Sequence, residues 1–195
     1  PIQPAPIHPG EVRLGVGGVA CNMALNLHAL GAPITFLTAL NNTPFSQMIA
    51  HYLHQSGLRL RLETHKHLPD PVYCSLWQDG TLRQAVHTTA LTDHEFHRSG
   101  LETAVRGAKA VLASAELSPT SLHTLAELAR AANLPIYLNC PSGADTRFLQ
   151  HCPRFDLIFA PADVLLTQAQ HQGLNHLADL AIALQTTLIT SHSQG

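Results

Sequence analysis

Short apolar runs alternate with stretches of helical periodicity along the chain from about residue 32 onward. This order is typical of parallel strands joined by crossover helices, and it predicts an α/β protein with a mainly parallel sheet flanked by helices. Each predicted strand is short and apolar on both faces, as a strand covered by helices on both sides must be. The predicted strands lie at residues 34–40, 110–115, 136–140, 157–160 and 187–191.

Two of the predicted helices begin with the same signal, a hydroxyl residue followed by proline. Thr43 precedes Pro44, and Ser118 precedes Pro119. Hydroxyl side chains cap helix starts, and proline is favoured at the first helical position. We therefore expect a helix to start at each proline, and Gly57 to end the first of them.

One part of the chain departs from the α/β pattern and predicts antiparallel strands. Residues 58–62 alternate leucine with arginine, and residues 72–87 carry two further strand patterns around a Gln-Asp-Gly-Thr turn. The Asp79-Gly80 pair in this turn is typical of a β-hairpin. The pattern therefore predicts an antiparallel flap made of segments 58–62 and 72–87. Because such a flap exposes strand edges and an apolar face, we expect a homodimer formed through it.

Composition limits the number of domains and the kinds of partner. A chain of 195 residues with 45% hydrophobic content is large enough for one core, so we expect a single domain over residues 1–195. Charged residues make up only 12%, the formal charge is −2, and the basic residues are scattered. This argues against nucleic acid and anionic membranes as partners and favours a small ligand. With no 18-residue apolar stretch and no secretory leader pattern, we expect a cytoplasmic protein.

Cysteine and histidine spacing gives no reason to expect a metal site. The cysteines form no CxxC pair, so we expect reduced, mostly buried thiols rather than a disulfide scaffold or a zinc ribbon. Three histidine pairs are close in sequence, but none has a third ligand at a familiar spacing. These pairs are His51 with His54, His65 with His67, and His94 with His97.

The densest motif is a glycine-rich run, GVGGVACN at residues 15–22, which leads directly into a helix predicted from Met23. Glycines let the backbone approach a ligand closely, and a helix start offers free N–H groups to ligand oxygens. The run therefore indicates either a ligand site or a tight turn that binds nothing. Gly15, Gly17 and Ala20 nearly match the dinucleotide fingerprint, but no acidic residue follows about 20 positions later, which argues against an NAD-binding protein.

The longer stretch from Gly17 to Gly57 resembles the first signature of the ribokinase-like (PfkB) carbohydrate and nucleoside kinases. It reads GGVACNMALNLHALGAPITFLTALNNTPFSQMIAHYLHQSG, and its Gly-Gly-Val-x-x-Asn form is similar to that of the pseudouridine kinases. A weaker resemblance covers nearly all 195 residues. It implies a ribokinase-like fold, incomplete at both ends, with the flap as a substrate lid. It also implies a kinase that uses ATP and Mg²⁺ to phosphorylate a sugar or nucleoside hydroxyl.

The resemblance implies four substrate-binding residues in this chain. The Gly17 and Gly18 backbone and the Asn22 side chain would hold hydroxyls of the phosphoryl acceptor. Glu116, at the end of a predicted strand, would contact the same sugar, and carboxyl ends of parallel strands are where α/β proteins bind ligands. An amide both donates and accepts hydrogen bonds, so Asn22 suits a sugar hydroxyl. Its alternative role is to cap the following helix.

The chain departs from the family pattern where phosphate and metal chemistry would lie. The Gly-Ala-Gly-Asp motif that supplies the family's base and anion hole does not occur. Ala162 and Leu165 replace the polar members of its Pro-Asn-x-x-Glu motif, and His192 replaces a turn glycine. Its Gly-x-Asp-x-x-Gly motif falls on residues 41–46, with all three members changed.

These departures leave three interpretations. The chain is part of a working kinase, a diverged relative that binds ligand without phosphorylating it, or a structural remnant that oligomerises through the flap. In each case residues 1–195 alone are expected to be inactive, because the base and the phosphate-binding groups are missing.

Overall fold

The computed structural model describes residues 10–65, 69–88, 94–142, 146–150 and 154–191. The strands are β1 Thr35–Leu40, β2 Arg59–Thr64, β3 Tyr73–Gln78, β4 Thr81–His87, β5 Val111–Ser114, β6 Ile136–Asn139, β7 Leu157–Pro161 and β8 Thr187–Ser191. The α-helices are α1 Val19–Ala29, α2 Pro44–Gln55, α3 Arg98–Val105, α4 Pro119–Ala131, α5 Ala162–His171 and α6 Leu177–Leu184, with a 3-10 turn at Arg147–Gln150.

The strands form two parallel sheets and one antiparallel hairpin. β5, β6, β7 and β8 pair in that order, all in parallel. β1 pairs in parallel with β2, and β3 pairs antiparallel with β4. The predicted α/β class is therefore confirmed, and each of the five predicted parallel strands is present to within one residue at either end.

The prediction that residues 58–62 belong to the flap is wrong. β2 aligns in parallel with β1, from Thr35 opposite Arg59 to Leu40 opposite Thr64. Leu60 packs into a small core with Phe36, whereas Arg59 is exposed. A strand with only one face buried shows the same alternation of apolar and polar residues as a hairpin strand, so the pattern alone did not identify the partner.

The flap therefore consists of the β3–β4 hairpin alone. Asp79 and Gly80 have φ values of 51° and 74°, the left-handed geometry that a type I′ turn requires. The predicted Asp-Gly turn is confirmed. The hairpin exposes large apolar side chains on both strands, namely Tyr73, Leu76, Trp77 and Val86.

The two helix-start predictions are also confirmed. The Ser46 backbone N–H donates to Thr43 Oγ1 at 3.1 Å at the start of α2. The Ser121 N–H donates to Ser118 Oγ at 3.2 Å at the start of α4. Each hydroxyl satisfies one backbone donor that the helix itself leaves unpaired.

Two buried clusters hold the described residues together. The larger cluster lies between the β5–β8 sheet and helices α4, α5 and α6, and its side chains Leu122, Leu138, Leu165 and Leu180 have no exposed surface. The smaller cluster contains Cys21, Ala24, Leu53 and Leu58 and joins α1 and α2 to the β1–β2 pair. None of the helices in the described part is long and apolar enough to cross a bilayer.

The second face of the β5–β8 sheet is only partly covered in the described part of the chain. Leu112, Phe159 and Ile189 lie on this face by strand register, and they are 39%, 36% and 44% exposed. Parallel sheets are normally buried on both faces, so this row of apolar side chains is unusual.

The two faces of this sheet should respond differently to truncation of a leucine. We expect Leu138→Ala to lower the free energy of unfolding by about 2–5 kcal/mol, because the side chain is fully buried. Leu112→Ala on the neighbouring strand should cost under about 1 kcal/mol, because the leucine is already partly hydrated. Urea unfolding of both variants measures this difference, and equal losses would show that the Leu112 face is covered in solution.

Candidate functional site

The glycine-rich turn and Glu116 are carried by elements that contact each other. Gly17 and Gly18 precede α1, Glu116 follows β5 after one intervening residue, and α1 contacts β5. The carboxyl ends of parallel strands form the usual ligand crevice of α/β sheets. The acceptor site predicted from the sequence is thus carried by two elements that contact each other.

The start of α1 has no side-chain cap. The helix begins at Val19, four residues earlier than predicted, and Gly18 is its N-cap. Gly18 has a φ of 96°, which side-chain-bearing residues rarely adopt, so glycine is required there. The first helical bond runs from the Asn22 N–H to the Gly18 carbonyl, 2.9 Å. The N–H groups before Asn22 therefore have no helical acceptor and can donate to ligand oxygens.

The position of Asn22 removes its alternative role as a helix cap. It lies one turn inside α1, where an amide side chain cannot satisfy the N-terminal donors. The side chain is exposed, and it makes no hydrogen bond within the described part of the chain.

Glu116 is exposed, and a neighbouring side chain holds its carboxylate in place. The hydroxyl of the buried Ser114 donates to Glu116 Oε2 at 3.1 Å, and the Glu116 N–H donates to Ser114 Oγ at 3.3 Å. Ser114 is not among the site residues predicted from the sequence. The sequence signal for this contact is the position of the serine, two residues before the candidate carboxylate at a strand end.

Two of the positions where the family resemblance predicts phosphate or metal contacts, Ala162 and Leu165, are part of the core. Ala162 and Leu165 lie in the first turn of α5 and are 7% and 0% exposed. Neither offers a polar atom to a phosphate or a metal ion, and Asp163 between them is exposed. His192, the changed turn glycine, lies outside the described residues.

Cys140 is no nucleophile, because burial raises its pKa to about 12.

Two residues of the changed Gly-x-Asp-x-x-Gly motif contact a carboxylate that the sequence did not point to. Thr43 Oγ1 and Ser46 Oγ both donate to Asp70 Oδ1, at 2.6 and 2.7 Å. Asp70 lies between two prolines just before the flap. This pattern predicts a turn, but it does not predict a contact with a residue 24 positions away in sequence.

One of the histidine pairs, His94 with His97, converges on Glu63, near the end of β2. His97 Nδ1 and the His97 backbone N–H each lie 3.2 Å from Glu63 Oε2, and His94 Nε2 lies 3.4 Å from the same oxygen. The His65 and His94 rings meet edge to face at 4.7 Å between centroids. His67 lies outside the described residues. No group of three or more metal-ligating side chains in the described part is arranged to hold a metal ion.

Burial determines the charge state of His94. Its side chain is 1% exposed, and burial lowers its pKa below the ordinary value of 6.5. The His65 ring adds to this shift, whereas the Glu63 carboxylate opposes it. His94 is therefore neutral near pH 7, and its Nε2 lies 3.4 Å from Glu63 Oε2 without the geometry of a hydrogen bond.

The lowered pKa of His94 predicts a loss of stability in acid. As pH falls through 6.5 the unfolded chain takes up a proton at this residue, while the folded chain does so only at lower pH. The His94 contribution to stability is therefore complete above pH 6.5 and decreases as pH falls below it. We expect the melting temperature of His94→Gln to depend less on pH below 6.5 than that of the wild type.

The half-exposed His123 on α4 provides the control for this experiment. His123→Gln should keep the wild-type pH dependence. If His94→Gln and the wild type lose the same number of degrees between pH 7 and pH 5, proton uptake by His94 does not cause the loss.

A sequence profile described as "pfkB family carbohydrate kinase" matches residues 2–194 of the chain. The chain belongs to this family. No individually curated protein has a detectable sequence match to it.

Several solved structures of ribokinase-like kinases resemble the fold. Arabidopsis thaliana ribokinase complexed with ribose and ATP is 17% identical, with a TM-score of 0.72, over 90% of this chain and 60% of that one. Anopheles gambiae adenosine kinase is 14% identical, with a TM-score of 0.68, over 89% and 59%. Xylella fastidiosa fructokinase is 13% identical, with a TM-score of 0.72, over 95% and 66%. The chain thus spans less than two thirds of the length of each.

These likenesses confirm the ribokinase-like α/β fold, with its parallel sheet and small antiparallel sheet. Identities below 20% carry no information on which acceptor this PfkB-family chain binds. The four substrate-binding residues and the closer similarity to pseudouridine kinases stay predictions.

Proposed function

We propose that this PfkB-family chain supplies the acceptor-binding part of an ATP-dependent kinase that phosphorylates a hydroxyl of a sugar or nucleoside. One observation carries the proposal, namely the uncapped start of α1, where two exposed glycines and Asn22 lie on an element that contacts β5. Glu116, just past the end of β5, completes the candidate site.

The chemistry of these groups suits a neutral polyol. Free backbone N–H groups donate to hydroxyl oxygens, the Asn22 amide both donates and accepts, and the Glu116 carboxylate accepts from two hydroxyls. Neighbouring hydroxyls on a ribose ring need this mixture of donors and acceptors. Among ribose-containing acceptors we favour pseudouridine, because the Gly-Gly-Val-x-x-Asn form at residues 17–22 is similar to that of the pseudouridine kinases.

The described residues do not fit ATP and Mg²⁺ in the family's manner. The two α5 positions that would carry polar groups are Ala162 and Leu165, and both pack into the core. We therefore assign no step of phosphoryl transfer to these residues, and we propose that residues 1–195 alone do not phosphorylate the acceptor.

A diverged, non-catalytic ligand-binding protein is the second candidate, and the burial of Leu165 favours it. The reading frame beyond Gly195 separates the two. A Gly-Ala-Gly-Asp sequence there would support the kinase, since that motif carries the family's base. A third candidate is a remnant that oligomerises through the flap; the exposed Tyr73, Leu76 and Trp77 are the surface that we propose for a homodimer.

The acceptor site predicts a specific effect of one amide. We expect ribose, pseudouridine or adenosine to bind weakly, and Asn22→Ala to raise the Kd about 5- to 150-fold, equivalent to about 1–3 kcal/mol. Because Asn22 caps nothing and alanine favours the helix more than asparagine does, the melting temperature should not fall. Calorimetric titration measures the affinity.

Asn26 is a matched control, because it is also exposed on α1 and lies one turn further along. Asn26→Ala should bind like the wild type. If none of the three ligands binds, or if both variants lose affinity equally, Asn22 has no substrate role.

Purified residues 1–195 should show no ATP-dependent phosphorylation of these acceptors above background. Positioned charge stabilisation supplies most of the rate of phosphoryl transfer, and the groups that provide it are replaced here. A coupled assay for ADP measures the rate. Turnover well above a no-protein control would contradict this prediction and would require a base elsewhere in the chain.

A further inference from the structure

The β3–β4 hairpin has few contacts to the rest of the described structure. Its two strands pair extensively with each other, but no helix or other strand packs extensively against either of them. The orientation of the flap therefore depends on the short segments at its base, where residues 69–72 lead in and Thr88 leads out.

Asp70 lies at the centre of the hydrogen bonds at this base. Its carboxylate oxygen Oδ1 accepts from the hydroxyls of Thr43 and Ser46, at 2.6 and 2.7 Å. Its backbone carbonyl accepts from the Thr88 hydroxyl at 2.8 Å. Thr88 Oγ1 in turn accepts from the Val72 N–H at 3.0 Å, and the Thr88 N–H donates to the Val72 carbonyl, also at 3.0 Å. Both legs of the flap are thus joined to each other and to the start of α2.

The bonds to the Asp70 carboxylate are of a strong type. Hydroxyl donors to an ionised carboxylate form short, charge-assisted hydrogen bonds, and the distances here are at the short end of the normal range. Ser46 is 1% exposed, so water competes little for this bond. A negative charge next to the N-terminus of α2 is also favoured by the helix dipole.

This arrangement explains two of the changed positions in the Gly-x-Asp-x-x-Gly segment. Thr43 occupies the aspartate position and Ser46 a glycine position, and together they present two hydroxyls at the start of α2. The carboxylate that the motif would supply from the helix comes instead from Asp70, at the base of the flap. Thr43 and Ser46, at two of the changed positions, thus have a structural role at the base of the flap.

We propose that Asp70 is a positioning residue that, with Thr43 and Ser46, latches the flap to the start of α2. α2 follows β1, so the latch fixes the flap at the carboxyl end of that strand. The link from flap position to acceptor binding rests on the proposed function. The latch itself does not, and it is tested without any ligand.

Trp77 is a natural probe for the test, because it is the chain's one tryptophan and lies on β3. Its indole N–H donates to Ser75 Oγ at 2.9 Å, which ties the ring to the hairpin. In the wild type we expect Trp77 fluorescence anisotropy to decay with the tumbling of the whole chain. In Asp70→Ala we expect an added nanosecond component from independent flap motion. Hydrogen exchange of the Val72 and Thr88 amides should accelerate about tenfold or more.

Three further variants distinguish a latch from a general loss of stability. Asp79→Asn removes a carboxylate from the hairpin tip, in a left-handed position that asparagine tolerates, and should leave the anisotropy unchanged. Ser46→Ala removes one of the two hydroxyls and should give a smaller effect than Asp70→Ala. The exchange variant Thr43→Asp/Asp70→Thr places the carboxylate on the helix and the hydroxyl on the flap, and should restore the slow decay.

The proposal is overturned if Asp70→Ala folds with a wild-type circular dichroism spectrum and an unchanged anisotropy decay. Failure of the exchange variant to restore the slow decay, when that variant folds, would also overturn it. If Asp70→Ala does not fold, the anisotropy decays of Ser46→Ala and Asp79→Asn are compared instead. A faster decay in Ser46→Ala than in Asp79→Asn supports the latch, and equal decays overturn it.

Discussion

Burial of one face of the β5–β8 sheet against α4, α5 and α6 is the constraint on which the rest of the described structure depends. Leu122, Leu138 and Leu165 lose all exposure at this interface, and burying such side chains is the largest favourable term in folding. The interface fixes the carboxyl ends of four parallel strands at one edge of the sheet. Glu116 reaches that edge because the two alanines and the serine that precede it are buried.

The same packing surrounds Leu165, at the α5 position where the resemblance to the family predicts a phosphate-side carboxylate. Leu165 lies on the buried side of α5, and a carboxylate at that position would need a partner or a metal ion to offset its desolvation. A leucine there removes that cost and adds apolar contacts. Core packing and phosphate binding are thus alternatives at this position.

Local signals in the sequence predicted much of the fold. Thr43, Ser118 and the Asp79-Gly80 turn act within three or four residues, so their effect is visible in the pattern itself. The partner of β2 was not visible, because alternation shows that one face is buried but not which strand lies beside it. The early start of α1 was missed because a glycine N-cap carries no side-chain signal.

The candidate site was only partly visible for the same reason. Gly17, Gly18 and Asn22 form a local motif, and the structure confirms only that they lie at a helix start. Asp70 and Glu63 have partners 24 or more residues away in sequence, which no spacing rule relates to them. Contacts of this kind depend on the tertiary fold, and the local pattern of a single sequence does not predict which distant residues meet.

The separateness of the hairpin affects how the chain can change over evolutionary time. Most of the stability of the described part comes from the two buried clusters, and β3 and β4 contribute no residue to either. Substitutions along the hairpin therefore cost little folding free energy, so long as the turn and the base are kept. Selection can alter the shape and polarity of this element almost independently of the core.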